Sequence, residues 1–106
     1  MYDAHTHLNN EDIFPQRQHY MDLFVKAGGK GLVNSGASEF YNEKGIGIAK
    51  ESLQKYPKLR VKATVGWHPL ECVENIVTKE NYIQKVQDLK QQYFANKEHI
   101  VAIGEI

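Results

Sequence analysis

The chain has 106 residues and is formally neutral, with 13 Lys+Arg against 13 Asp+Glu and 42% hydrophobic residues. A length and composition of this kind hold one domain with one modest core and leave no room for a second. No apolar run approaches the roughly 20 residues needed to span a bilayer, and the first residues lack a basic segment followed by an apolar one, so no membrane partner and a cytoplasmic location are expected. Neutrality excludes a domain that holds nucleic acid by bulk charge; a phosphate-bearing substrate would need a local device, such as a bound metal. The single cysteine, Cys72, forms no internal disulfide, in agreement with a reducing compartment.

In chain order, the sequence predicts a first strand over Met1–Ala4. A helix follows from Pro15, favoured at a first helical turn, with Tyr20, Leu23, Phe24 and Ala27 at i, i+3, i+4 and i+7 until Gly28-Gly29 stops it. A second strand is read at Gly31–Asn34 and a loop at Ser35–Ser38. The stripe Ile46, Ala49, Leu53 and Tyr56 then marks a second helix, ended by Pro57 and weakened in its first half by Gly45 and Gly47. The third strand is Leu59–Val65. Tyr82, Val86, Leu89 and Tyr93 trace a long amphipathic helix leading to Ile100-Val101-Ala102-Ile103, read as a buried strand. Four strands alternating with helices at intervals of about 30 to 40 residues are βαβ units with a parallel sheet, hence an α/β fold. Periodicity alone leaves open whether that sheet stays open or closes into a barrel.

The unusual polar residues fall at strand ends: His5 and His7 after the first, Asn34 after the second, His68 after the third and Glu105 after the fourth. In both candidate architectures the C-terminal strand ends share the face where ligands gather. In an extended segment residues i and i+2 point the same way, so both imidazoles of His5-Thr6-His7 can reach one metal ion. Two histidines merely packed or solvated at a strand end remain the alternative. Glu105, where an apolar strand emerges, is either a solvated carboxylate or a third ligand for a divalent metal beside His5 and His7. His68, in Gly66-Trp67-His68-Pro69, is aimed out of its turn by the following proline, as suits a substrate contact; the alternative is a structural histidine packed on Trp67. His19 and His99 lie away from this face and read as surface or packing residues. Nothing beside Cys72 suggests a nucleophile.

Taken together, Asp3-Ala4-His5-Thr6-His7-Leu8, Gly66-Trp67-His68-Pro69 and Ala102-Ile103-Gly104-Glu105-Ile106 resemble, in order and spacing, the opening of the TatD family of metal-dependent deoxyribonucleases. The resemblance implies the N-terminal half of a (β/α)8 TIM-type barrel, with residues 1–106 as a single partial domain. It implies hydrolysis of phosphodiester bonds in DNA with divalent metal ions (Mg, Mn or Zn), two in a complete site. By the family pattern His5 and His7 are metal ligands, Glu105 is both metal ligand and catalytic residue, and His68 binds the substrate phosphate. A barrel of this kind takes roughly 250 residues, so later ligands are expected outside this sequence, which is either part of a longer product or a natural truncation. The expected partners are therefore a DNA substrate and either the remainder of the barrel or a second copy. Hydrolysis of another ester or an amide, and a non-catalytic half-barrel that only binds, are the alternatives.

Overall fold

The computed structural model describes residues 1–105. Its strands are β1 (Tyr2–Thr6), β2 (Gly31–Asn34), β3 (Arg60–Val65) and β4 (Ile100–Ile103), all parallel and side by side in the order β1-β2-β3-β4. Helix α1 (Arg17–Lys26) connects β1 to β2, α2 (Glu39–Lys55) connects β2 to β3, and a one-turn α3 (Leu70–Val73) followed by α4 (Tyr82–Asn96) connects β3 to β4. Open doubly wound sheets reverse direction within their first few strands, whereas here the spatial order follows the chain order throughout. Four parallel strands advancing one way, with a helix at each step, are half of a (β/α)8 barrel. No helix among the described residues is long and apolar enough to cross a membrane.

Strand β3 sets the layers. Val61, Ala63 and Val65 are buried while Arg60, Lys62 and Thr64 alternate onto the opposite, more open face. One apolar cluster joins Met21 of α1, Leu32 of β2, Ile48 and Ala49 of α2, and Leu59 and Val61; a second joins Ile46, Ala63, Val65 and Ile100, with Leu89 and Tyr93 of α4 packed against it. Gly45, read from the sequence as a weak point, does not interrupt the 17-residue α2. A Cβ there would stand 3.5 Å from the Cβ atoms of both Asn34 and Ala63, so the glycine lets helix and sheet approach closely.

Several faces differ from the sequence reading. In α1 it is Met21, with Phe24, that enters the core; Tyr20 and Leu23 are exposed. The helix carries apolar residues on more than one side, and periodicity alone chose the wrong register. In α2, Ile46 and Ala49 are buried as expected, but Leu53 is exposed because it faces an open hollow of about 620 Å³ shared with Tyr2, Pro57 and Val101. In α4 only the Leu89 and Tyr93 half of the stripe packs; Tyr82 and Val86 are exposed. Strand β4 is not buried: Ile100 is, but Val101 and Ile103 are 56% and 51% exposed, since among the described residues β4 has a neighbour, β3, on one side only.

The first strand also runs two residues further than its apolar start implied, so His5 lies within it. Tyr2 pairs with Gly31 and Thr6 with Asn34, so four steps along β1 match three along β2. One extra residue is accommodated between Asp3 and Thr6, and such a bulge re-aims the side chains that follow it. The Asp3 carboxylate accepts the His5 amide at 3.1 Å across this irregularity.

Candidate metal and substrate site

Thr6 pairs with Asn34, whose side chain packs on the helix-covered face, so its neighbours His5 and His7 project onto the opposite face of the sheet. Asn34 fixes that geometry. Its Oδ1 accepts from the Thr6 hydroxyl and from the Leu8 amide, both at 3.1 Å, and so brackets His7 from either side. Asn34 is thus a support of the site, fully buried beneath it, and not one of the groups on its open face.

Glu105 reaches the same place from β4. The Gly104 amide donates to the Val65 carbonyl at 2.9 Å and the Glu105 amide to the Gly36 carbonyl at 2.6 Å. The Thr64 hydroxyl accepts from the Gly36 amide and donates to the Gly104 carbonyl, each at 2.9 Å. These backbones cross where a side chain would intrude. A Cβ on Gly36 would lie 2.4 Å from the Thr64 carbonyl oxygen, and one on Gly66 2.6 Å from the Gly104 carbonyl carbon. The ends of β2, β3 and β4 are thereby laced together with Glu105 at the exit.

The outcome is convergence on one oxygen. His5 Nε2 stands 3.3 Å and His7 Nε2 3.2 Å from Glu105 Oε2, with the two rings edge to face at a centroid separation of 5.0 Å. Ligand atoms from all three residues lie within 4.8 Å of one another. Two imidazole nitrogens and a carboxylate oxygen form a donor set that accepts a divalent cation such as Zn²⁺ or Mn²⁺. Two ligand atoms on a tetrahedral Zn²⁺ stand about 3.3 Å apart, which matches the observed separations. His7 Nδ1, by contrast, is buried without a hydrogen-bond partner among the described residues. Among the described residues its polar contact is thus made through Nε2, while the ring packs against those of His5 and Tyr41.

Beside this cluster lies a cleft of about 370 Å³ that takes in His7, His68, Glu105, Tyr41 and Glu71. His68 is held by its own backbone, whose amide donates to the Ala37 carbonyl at 2.8 Å. Its Nδ1 accepts the Leu70 amide at 3.1 Å, which places the proton of the neutral ring on Nε2. Its loop is latched to α2 by buried Asn42, whose amide donates to the Gly66 carbonyl at 3.0 Å and accepts the Gly66 amide at 3.1 Å. The site residues named from sequence thus divide into a triad, His5, His7 and Glu105, and a separate cleft residue, His68.

Tyr41 and Glu71 were not singled out from the sequence. Each sits one short step past a strand-end loop: Tyr41 three residues after Ser38, whose hydroxyl caps α2, and Glu71 three residues after His68. Glu71 is buried, and that burial, with Glu74 adding to it, holds its carboxyl above the usual range against the opposing pull of His68 and Lys85. His99 is a packing residue, buried below β4, while Cys72 is an exposed thiol.

A family model described as TatD related DNase matches residues 2–106. Among curated proteins, no match is found.

Proposed function

The chain belongs to the TatD-related DNase family, a family of metal-dependent hydrolases, and from that premise we propose that it supplies the first half of a phosphodiesterase site acting on DNA. The observation that carries this reading is the convergence of His5 and His7, at the end of the first strand, on Glu105, just past the fourth, with their Nε2 atoms 3.3 and 3.2 Å from its Oε2. His5 and His7 would hold a divalent ion through Nε2 and Glu105 through its carboxylate. The chemistry such an ion would supply there is a lowered pKa for a bound water and compensation of charge developing on the phosphoryl oxygens.

The remaining work falls to the chain's own groups. Both imidazoles would serve as donors of a nitrogen lone pair to the ion. Glu105 contacts the histidines through Oε2, and Oε1 is the acceptor that orients the attacking water. His68 presents Nε2–H to a non-bridging phosphate oxygen, its acceptor side being already committed to the Leu70 amide. The cleft alongside, with His68 on its wall, gives a phosphodiester a place to lie against the triad.

Further strands complete the barrel in this reading, and the exposed apolar side chains of β4 and the outer faces of Val86 and Ile83 are the surface they cover. The 106-residue chain by itself binds metal with three donors and turns DNA over negligibly. Calorimetric titration with Zn²⁺ and Mn²⁺ of the wild type and a His5→Ala/His7→Ala variant tests the triad, with heat expected only from the wild type; equal heats remove it. A parallel DNase assay with Mg²⁺ or Mn²⁺ tests the second claim. Enzyme-like turnover by a monomer of this chain would show that no further strands are needed.

A further inference from the structure

Tyr41 is left without a task by the triad and by His68, yet it lines the same cleft. It stands in the first turn of α2, fixed at every polar atom. Its amide donates to the Ser38 hydroxyl at 3.3 Å, its carbonyl accepts the buried Asn9 side-chain amide at 2.9 Å, and its hydroxyl oxygen accepts the Asn10 side-chain amide at 2.8 Å. The ring lies 6.1 Å from that of His7 at an angle of 53° and 5.9 Å from that of Phe40. A phenol whose oxygen already accepts has its proton to give, and among the described residues no acceptor takes that proton.

His68 is prepared in the same way. There too a neighbouring amide occupies the acceptor atom, leaving only a donor exposed. The cleft thus has two neutral donors, one on the loop after β3 and one on the helix after β2, in a wall whose charged groups include the carboxylates of Glu71, Glu74 and Glu105. Neutral donors of fixed direction suit an anion that such carboxylates would otherwise repel. Asn10 performs the orienting part, since without it the hydroxyl could turn to accept rather than donate.

We propose that Tyr41, oriented by Asn10, is a substrate-binding residue that donates its phenolic hydrogen bond to a phosphodiester oxygen in the cleft, alongside His68. The inference rests on the phosphodiesterase reading and adds to it a second phosphate contact. It predicts that the hydroxyl matters more for an anionic phosphodiester than for an uncharged one of the same shape, whose remaining phosphoryl oxygen is a weaker, neutral acceptor.

The probe is the dinucleotide TpT against its methylphosphonate analogue, in which the charged oxygen is replaced by a methyl group. Binding to the full 106-residue chain is followed by amide chemical shifts with Mg²⁺ present, for wild type, Tyr41→Phe, Asn10→Ala and His68→Ala. Tyr41→Phe is expected to weaken TpT about tenfold, the worth of a hydrogen bond to a charged group, and to weaken the methylphosphonate, which keeps only a neutral phosphoryl acceptor, by a clearly smaller factor. Asn10→Ala keeps the phenol, and is expected to weaken TpT in the same direction by a smaller factor; it also serves if Tyr41→Phe does not fold. Equal losses for both ligands would mean that Tyr41 acts only by shaping the cleft, and would overturn the assignment. Loss of TpT binding in His68→Ala with none in Tyr41→Phe overturns the role of Tyr41 while leaving the phosphodiesterase reading intact. Absence of TpT-induced shifts at any cleft residue of the wild type overturns both.

Discussion

Replacing Thr64 by valine removes one oxygen atom and keeps the shape, and the structure makes that atom a hinge between the sheet and the triad. The hydroxyl accepts from the Gly36 amide and donates to the carbonyl of Gly104, the residue before Glu105, both at 2.9 Å. Each is a neutral bond in a half-buried setting, with a net worth of about 0.5 to 1.5 kcal/mol, so the pair should cost about 1 to 3 kcal/mol on urea denaturation. A second consequence follows at the site. Gly104 and Glu105 would keep only their bonds to Val65 and Gly36, and the Glu105 carboxylate would lose part of its fixed position. Loss of a support behind a ligand commonly lowers metal affinity by about 10- to 100-fold, and Zn²⁺ titration should show a fall near the lower end of that range. Thr64→Ser keeps both bonds and should restore the affinity. If Thr64→Val matches wild type in both stability and Zn²⁺ affinity, the lacing of β2, β3 and β4 through this hydroxyl has no energetic content.

Asn42→Ala should cost about 2 to 4 kcal/mol on denaturation, because it leaves the Gly66 amide and carbonyl unpaired in a buried place; a loss below about 0.5 kcal/mol would show that water replaces the latch without cost. Tyr56, which donates to Asp22 at 2.5 Å, has its phenol pushed up to about 12 by burial and by that bond. The unfolded chain ionises near pH 10, so the stability this tie contributes is complete below pH 10 and is lost as pH rises from 10 to about 12. A Tyr56→Phe variant should show a shallower decline over that window in chemical melts at stepped pH. Glu71 has its folded carboxyl raised, which favours the folded state at acid pH and disfavours it once the group must ionise. Thermal melts should therefore find Glu71→Gln more stable than wild type at pH 7, with the gap closing below about pH 4, and the opposite order would place Glu71 in an ion pair.

The four strands and the three longer helices were legible because strands buried on at least one face and helices packed on them leave different periodicities in the sequence, whereas the one-turn α3 is too short to leave one. Gly28-Gly29, Pro57 and the Ser35–Ser38 loop marked the boundaries well, and α2 does start directly after Ser38. Which side of a helix packs was less legible. Leu23 and Met21 are both apolar, and only the tertiary context selects Met21. The triad was readable as strand-end positions, but its geometry was not, because the extra residue between Asp3 and Thr6 that turns His5 and His7 to the open face leaves no mark in composition or period. Tyr41, Glu71, Asn9 and Asn42 escaped for a related reason. Each lies in a first helical turn or a loop, where polar residues are common, and only the bonds they make across 24 to 32 positions of chain give Asn9 and Asn42 their role.

Those asparagines bear on why the triad end of the sheet is built as it is. The apolar clusters occupy the body of the sheet, whereas its C-terminal edge holds Asn9, Asn34, Asn42 and Thr64 in or near burial. Apolar packing is non-directional and tolerates small displacements, while an amide bonded at two points fixes position and angle together. The arrangement has a cost. Among the described residues, Asn9 Oδ1, Asn34 Nδ2 and His7 Nδ1 are buried without partners, and each such group costs about 1 to 3 kcal/mol relative to a satisfied one. An apolar replacement at Asn34 would remove one orphaned Nδ2, but it would release Thr6 and Leu8, the two residues that hold His7 between them. Stability is conceded at the strand ends where the positions of two imidazoles and a carboxylate must agree to a few tenths of an ångström, and it is recovered beneath them, in the clusters around Met21 and Val65, where no such agreement is required.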